Sequence, residues 1–409
     1  MQLDVPPALS PAMLAQRPCW LDVDLDAVHA NVAALRAHVG PTTRLCAVVK
    51  AEAYGLGLTH MAHAALAAGA ERVAVARVEE GIRLRRAGIT APILLIAGFA
   101  GGEAEEIVRH RLTPTVVQPD DVLALGRVAG RLGAVLTVHI KVDTGLTRYG
   151  AAPSDAVALA RVVEDLPSLH LEGVYTHFAT ADDPDPRFSL QQLALFRRAL
   201  GELRAVGIAP PLAHAANSAG TLGEPLAHLD MVRAGLALSG HYPADHLGSA
   251  LRLTPAVALR ARLLRVYKVE AGTTIGYGRS YAAGAPMRVG VVPTGYADGV
   301  PRAHSNRAQA LVGGVRVGLV GRVSMDQCVV DLTRVPEART GDVVTLFGAD
   351  GQEHIPLEEY AAWSDTITHE ALCRIGPRVP RRYRSGGAYR WGEQSSEDGR
   401  SPSLLPSFE

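Results

Sequence analysis

Apolar positions give the first picture of the chain. Leu25, Val28, Val32 and Leu35 recur at three- and four-residue spacing, which predicts a helix; Asp24 is placed to cap it and Gly40 to stop it. The run RLCAVVK (44–50) follows and reads as a short buried strand. The same alternation then repeats, with strand-like runs at 72–78, 92–99, 113–118, 134–142, 169–178, 211–217 and 231–235 and helical stretches such as PDDVLALGRVAGRLG between them. These strands are apolar on both faces, as parallel strands under helices should be. Eight such units predict an α/β fold, an N-terminal (β/α)8 TIM-type barrel. An open doubly wound sheet fits the same pattern.

The pattern changes at about residue 250. MRVGVVPTGYADGV, QALVGGVRVGLVGRVSMDQCVVDL and GDVVTLFG are short runs broken by Gly, Pro and Asp turns. They predict a separate, mainly-β C-terminal domain. The expected boundaries are 18–248 for the barrel and 249–385 for the β domain, with a polar, aperiodic and disordered tail over 386–409.

Composition narrows the function. Lys+Arg and Asp+Glu both total 41 in 409 residues, so no global field favours nucleic acid or an anionic membrane. Four scattered cysteines, Cys19, Cys46, Cys328 and Cys373, form no CxxC pair and no zinc spacing. They fit a reduced compartment without disulfides or a structural metal. No apolar run approaches a membrane span, and the first residues lack the basic-then-apolar order of a signal peptide. A cytoplasmic protein is expected.

The chemical signal lies in AVVKAEAYGLG (47–57). Lys50 closes a buried strand at the end where barrel enzymes place their chemistry. Burial lowers an amine's pKa and frees it to form a Schiff base, although a lysine can also simply snorkel out from a strand end. Tyr54 adds a hydroxyl, and Gly55 and Gly57 permit close backbone approach to a ligand.

This stretch resembles the pyridoxal-phosphate lysine motif of the bacterial alanine racemase family. The resemblance recurs in order at HIKVDTGLTRYG (139–150), GVYTHFATAD (173–182), HAANSAG (214–220), MVRAG (231–235), IGYGRSYAA (275–283), PTGYADG (293–299), GRVSMDQ (321–327) and RVPRRY (378–383), across residues 18–385. It implies PLP-dependent, two-base interconversion of L- and D-alanine, supplying D-alanine for peptidoglycan. It also implies a homodimer whose sites are completed across subunits.

By that resemblance Lys50 carries the cofactor and acts as the base on one face of the substrate, and Tyr277 reaches in from the second subunit as the base on the other. Arg233 partners the cofactor's pyridine nitrogen, and His177 links Arg233 to Tyr277. Ser218, Tyr54 and the backbone near Gly235 and Leu236 match the phosphate cradle; Asn217 and Ser218 also read as a plain helix cap. Arg148 contacts the cofactor's phenolic oxygen and the substrate carboxylate, and Lys141 matches a lysine that many members carry as a carbamate. Met325 and Asp326 come to the carboxylate from the second subunit, and Tyr296 lies at the site entrance.

The resemblance is incomplete. Glu52 stands for a usual Asn, Leu56 for His and Ser324 for Cys. His369 stands where the family usually has a tyrosine beside the cofactor phosphate and the substrate side chain. Imidazole is shorter than phenol and more polar, so a roomier pocket that admits serine better is expected. A serine or broad-specificity racemase is therefore the alternative reading, ahead of a basic-amino-acid decarboxylase or a non-catalytic PLP carrier.

Overall fold

The structure, a computed structural model, describes residues 18–392. Two compact units divide the chain: residues 27–254, and residues up to 26 together with those from 255 onward.

In the first unit eight parallel strands close on themselves: β2 (Arg44–Val48), β3 (Arg72–Val75), β4 (Ile93–Leu95), β5 (Thr113–Val116), β6 (Leu136–Lys141), β7 (Leu169–Tyr175), β8 (Leu212–His214) and β9 (Met231–Ala234). Every predicted barrel strand is present, and β9 returns to pair with β2 from Arg44↔Met231 to Ala47↔Ala234. Cys46, Val48, Ala74, Leu94 and Met231 pack together as a buried apolar cluster. Helices such as Pro119–Arg131 and Arg187–Ala205 turn an apolar stripe inward, with Val122, Leu125, Leu193 and Phe196 buried.

The second unit is built mainly of β-strands, as the turn-rich sequence predicts, but it takes a strand from the front of the chain. Strand β1 (Cys19–Asp24) pairs antiparallel with β10 (Val257–Arg262) and parallel with Arg381–Ser385. The barrel unit therefore begins after this strand rather than at residue 18. Asp22 ties the seam, accepting from Arg260 Nε at 3.0 Å and Arg382 Nε at 2.7 Å.

The tail also departs from expectation. Ala388–Trp391 forms a strand against Arg381–Ser385, joined by Gly386 and Gly387 at φ 58° and 78°. Paired glycines at positive φ suit a tight hairpin. The Asp26 carboxylate holds the turn, accepting from both glycine amides at 2.9 and 3.2 Å. The rest of the tail, and the N-terminal stretch read for a signal peptide, lie outside the described residues. No helix among the described residues is long and apolar enough to cross a membrane.

Candidate active site

The barrel strands deliver their chemistry at their carboxyl ends. Lys141 is the last residue of β6, and Arg148 lies in the loop beyond it; His177 follows β7, Ser218 follows β8, and Arg233 and Gly235 lie in and just after β9. Lys50 follows β2, whose hydrogen bonding continues through the Val49 amide to Ala74 O at 2.9 Å.

The chain after Lys50 takes an unexpected path. Ala51, Glu52, Ala53 and Tyr54 all adopt left-handed helical angles, with φ of 53°, 56°, 52° and 59°. Such angles cost an L-residue about 1–2 kcal/mol each, so something must hold them. Backbone bonds run from Ala53 N to Val49 O and from Gly57 N to Glu52 O, at 2.8 and 2.7 Å. Glu80 accepts from the amides of Ala51, Ala76 and Arg77 at 2.5, 2.9 and 3.0 Å. Glu52 pairs with Arg83 and accepts from the Leu58 amide at 3.4 Å. Gly55 and Gly57 extend the turn at φ 86° and 106°, so their conformational freedom serves the turn itself.

The left-handed turn brings Tyr54 back over the end of β9. A Cβ added at Gly235 would collide with the Tyr54 hydroxyl and lie 2.9 Å from its Cζ. Ser218 Oγ accepts from the Gly235 amide at 2.9 Å and lies 3.4 Å from that of Ala237. Asn217 Oδ1 accepts from Gly220 N at 2.9 Å, so it caps Ser218–Gly223. The cap and the contact of the Ser218 hydroxyl with the amides beyond β9 coexist.

Arg233 is buried and its guanidinium is heavily committed. Nη1 donates to His214 Nδ1 at 2.7 Å, and Nη2 reaches Thr176 O, Ala215 O and His177 Nδ1 at 2.9, 2.9 and 3.1 Å. Arginine only donates, so His177 Nδ1 is an acceptor and its proton sits on Nε2. Burial, then the charges of Arg233, Lys141, Arg148 and Lys50, hold the His177 pKa well below the usual histidine range. The same cations act on Lys141, whose pKa falls to about 8, mainly through burial. Lys50, Lys141, Arg148 and Arg233 thus form one cationic cluster around a neutral His177, suited to an anionic ligand.

Sequence reading missed the floor of this cluster. Tyr175 stacks on His214 with ring centroids 4.5 Å apart and planes 6° from parallel, and its hydroxyl pairs with Thr115 Oγ1 at 2.9 Å. The Arg233 guanidinium lies 5.0 Å and the Lys141 ammonium 5.6 Å from the Tyr175 ring. Both Tyr175 and His214 lie within quoted sequence blocks, yet each reads there as an ordinary strand residue.

The remaining expected residues belong to the second unit. Tyr277 opens a short 3-10 turn between Gly276 and Gly278, at φ 75° and 69°, and is 72% exposed. Tyr296 and Met325 are also exposed. Their loops interlock, with the amides of Tyr296 and Ala297 donating to Ser324 O and Met325 O at 3.1 and 3.0 Å. The Asp326 carboxylate is engaged by Arg378 Nη2 at 2.7 Å, and Arg378 also pairs with Asp298 at 2.8 Å. Asp326 therefore anchors its loop. His369 lies in the first turn of the helix Thr368–Cys373.

Comparison with known proteins identifies the family. Residues 23–243 match the family model described as alanine racemase, N-terminal domain, and residues 256–383 match the model for the C-terminal domain. An alanine racemase of Synechocystis sp. is 44% identical over 370 residues, covering 90% of this chain and 99% of its own. The crystal structure of alanine racemase from D-cycloserine-producing Streptomyces lavendulae aligns with a TM-score of 0.87 at 38% identity, over 90% of this chain and 98% of that one. The alanine racemase of Bacillus anthracis with bound L-Ala-P aligns with a TM-score of 0.87 at 35% identity, over 92% and 98%.

Proposed function

The chain belongs to the alanine racemase family, and from that premise we propose that it interconverts L- and D-alanine with pyridoxal phosphate as cofactor. The observation that carries the site assignment is the cationic cluster at the carboxyl end of the barrel, with Arg233 locked onto His177.

The residues present fit the cofactor. Lys50 offers the amine, the Ser218 hydroxyl and the Leu236 amide offer donors for a phosphate dianion, and Gly235, whose amide holds the Ser218 hydroxyl, lacks the Cβ that would fill the space at Tyr54. When bound, pyridoxal phosphate supplies the electron withdrawal that acidifies the amino acid's Cα–H. Arg233 would hold the pyridine nitrogen as a permanent donor that does not surrender its proton, which would keep that electron withdrawal moderate and curb transamination.

Lys50 takes or returns the Cα proton on one face. Tyr277 of a second copy of this chain does the same on the opposite face. His177, with its proton on Nε2, donates to the Tyr277 oxygen and favours the phenolate. Arg148 and the Met325 backbone orient the substrate carboxylate, and Tyr296 narrows the entrance. The reading extends to a cytoplasmic homodimer that supplies D-alanine to peptidoglycan.

The direct test is proton NMR in D2O of the full chain with added cofactor and L-alanine, followed by chiral analysis. Loss of the Cα proton with formation of D-alanine supports the proposal; cofactor binding without exchange overturns it.

Three further outcomes are expected. Gly235→Ala puts a methyl against Tyr54 and weakens the cradle, so the Kd for pyridoxal phosphate, read by titration, rises by at least about tenfold, or 1.4 kcal/mol. An unchanged Kd removes Gly235 from the cradle. His369→Tyr restores the bulkier ring and shifts the alanine-to-serine ratio of kcat/KM towards alanine; an unchanged ratio removes the pocket role of His369. Lys141, with its pKa brought to about 8, has far more free amine at neutral pH than an ordinary lysine and carries a carbamate that turns it into an anion facing Arg148. Intact mass under native conditions, with and without added bicarbonate, tests for the carbamate, and a mass matching the unmodified chain in both rejects it.

A further inference from the structure

Beneath Arg233 runs a chain of buried polar groups that the proton-transfer scheme does not use. His214 Nδ1 accepts from Arg233 Nη1 at 2.7 Å, and His214 Nε2 lies 2.9 Å from His139 Nδ1. His139 Nε2 lies 2.9 Å from the Glu172 carboxylate, which also receives Arg72 at 2.8 and 3.1 Å. Both imidazoles are completely buried and Arg72 nearly so, while Glu172 keeps one-fifth of its side chain exposed.

The chemistry at the two ends fixes every proton between them. Arg233 only donates, so His214 Nδ1 is bare. The carboxylate only accepts, so His139 Nε2 carries hydrogen. One arrangement then joins the two rings: His214 Nε2–H donates to bare His139 Nδ1. Protonating either ring would set donor against donor and place another cation beside Arg72 and Arg233. Burial, the leading influence on both rings, holds their pKa values below the usual range in agreement with this.

The backbone is shaped to admit the chain. The β6–β7 register shifts between Val138 and His139, at the residue whose ring turns inward. Gly173 lies beneath that ring, where an added Cβ would come within 2.5 Å of His139 Cε1 and 2.6 Å of Nδ1. A side chain at residue 173 would evict the imidazole.

We propose that Glu172, His139 and His214 are positioning residues: a one-way hydrogen-bond relay that carries the pull of a barrel-wall carboxylate to Arg233, and through Arg233 fixes His177 in the Nε2–H form. The relay rests on the assignment of Arg233 and His177 made above. It gives Arg233 a single orientation while leaving its Nε–H outside the relay. Arg72 balances the charge of Glu172, so the relay adds no unpaired anion to the barrel.

The test is ring nitrogen NMR of the 15N-histidine-labelled full chain, with and without pyridoxal phosphate. In the wild type, His139, His177 and His214 should each show one bare and one protonated ring nitrogen, unchanged from pH 8 to 6. In His139→Phe, His214 loses its acceptor, so the His214 and His177 signals should move towards tautomer averaging. The kcat should drop about 10- to 100-fold, the scale of outer-shell partners that orient a functional histidine. Glu172→Gln keeps the shape and removes the charge, and is read if His139→Phe does not fold. There the His214 Nε2–H proton should move upfield as its hydrogen bond weakens. Ring signals that stay at wild-type positions in whichever folded variant is read overturn the relay. Wild-type protein without racemase activity would overturn the functional reading instead, and the nitrogen signals would still decide the relay.

Discussion

Replacing Tyr277 with Phe should lower alanine turnover by about 10²–10⁴-fold, the usual worth of a positioned acid–base group, and replacing Lys50 with Ala should abolish it. Each variant loses the group on one face of the substrate. Tyr277→Phe keeps Lys50, so deuterium should still enter the α position of one enantiomer while inversion fails. Mixing the two inactive variants is more decisive. If Tyr277 acts on the partner's Lys50, a mixed dimer has one site with both defects and one site with none. Random reassociation of equal amounts makes half the dimers mixed, so activity should return to about a quarter of wild type, as two-fold symmetry requires. If Tyr277 acts within its own chain, every site carries one defect and the mixture stays inactive. Among the large apolar and aromatic side chains of the described residues, Tyr277 has the greatest exposure, 72%, on a turn held by two glycines at positive φ. A rigid, solvent-facing phenol is what a shared site requires of it.

The elements that were legible in the sequence are those whose signal is local. The eight barrel strands announce themselves because both faces are buried, and the helices between them carry their own periodicity. The turn after Lys50 was not legible. Ala51, Glu52, Ala53 and Tyr54 have no preference for left-handed angles, and the conformation is imposed from outside by Glu80 and Arg83. Strand β1 was missed for a related reason, since its partners lie more than 200 residues away, at Val257–Arg262 and Arg381–Ser385. The hairpin at Gly386–Gly387 did carry a signal, two glycines between β-prone runs, but the polar composition of the tail outweighed it. The relay beneath Arg233 left a fainter trace. Glu172 and Arg72 are charged residues within mostly apolar strands, and such residues are buried only when paired.

The residues assigned to the cofactor were picked out by order along the chain, and the structure adds what order could not. Arg233 has four acceptors around it, and His177 is left with its hydrogen on Nε2. Ser218 turned out to have two neighbours at once, the cap at Asn217 and the amides beyond β9. A fold reading from periodicity places strands; donor and acceptor identity then orients the protons between them.

The same buried imidazoles should make the fold acid-labile, with stability falling steeply once pH drops below about 6.5, the unperturbed histidine value. His139, His214 and His304 are fully buried, and burial holds each pKa down, that of His304 to about 4. His304 packs edge-on against Tyr360 and Trp363, with ring centroids 4.5 and 5.9 Å away. The unfolded chain binds protons at these positions near pH 6.5 and the folded chain does not, so the stabilisation is complete above 6.5 and declines as pH falls towards the folded values. Each such group contributes a slope of up to about 1.4 kcal/mol per pH unit, and the three together roughly 4. A domain holds about 5–15 kcal/mol in total, so at that slope unfolding should set in about one to four units below 6.5. Glu172 adds a second step at lower pH: burial alone would raise its pKa, but the hydrogen bonds from His139 and Arg72 carry it well below the usual carboxylate range, and its stabilisation is lost only below about 4.3. Melting curves between pH 7.5 and 5 should fall by roughly 10 °C or more. His304→Phe should flatten the slope by about one proton's worth without moving the relay. A melting temperature that stays level down to pH 5 would mean that these rings accept protons inside the fold, and with it the one-way arrangement beneath Arg233 would fall.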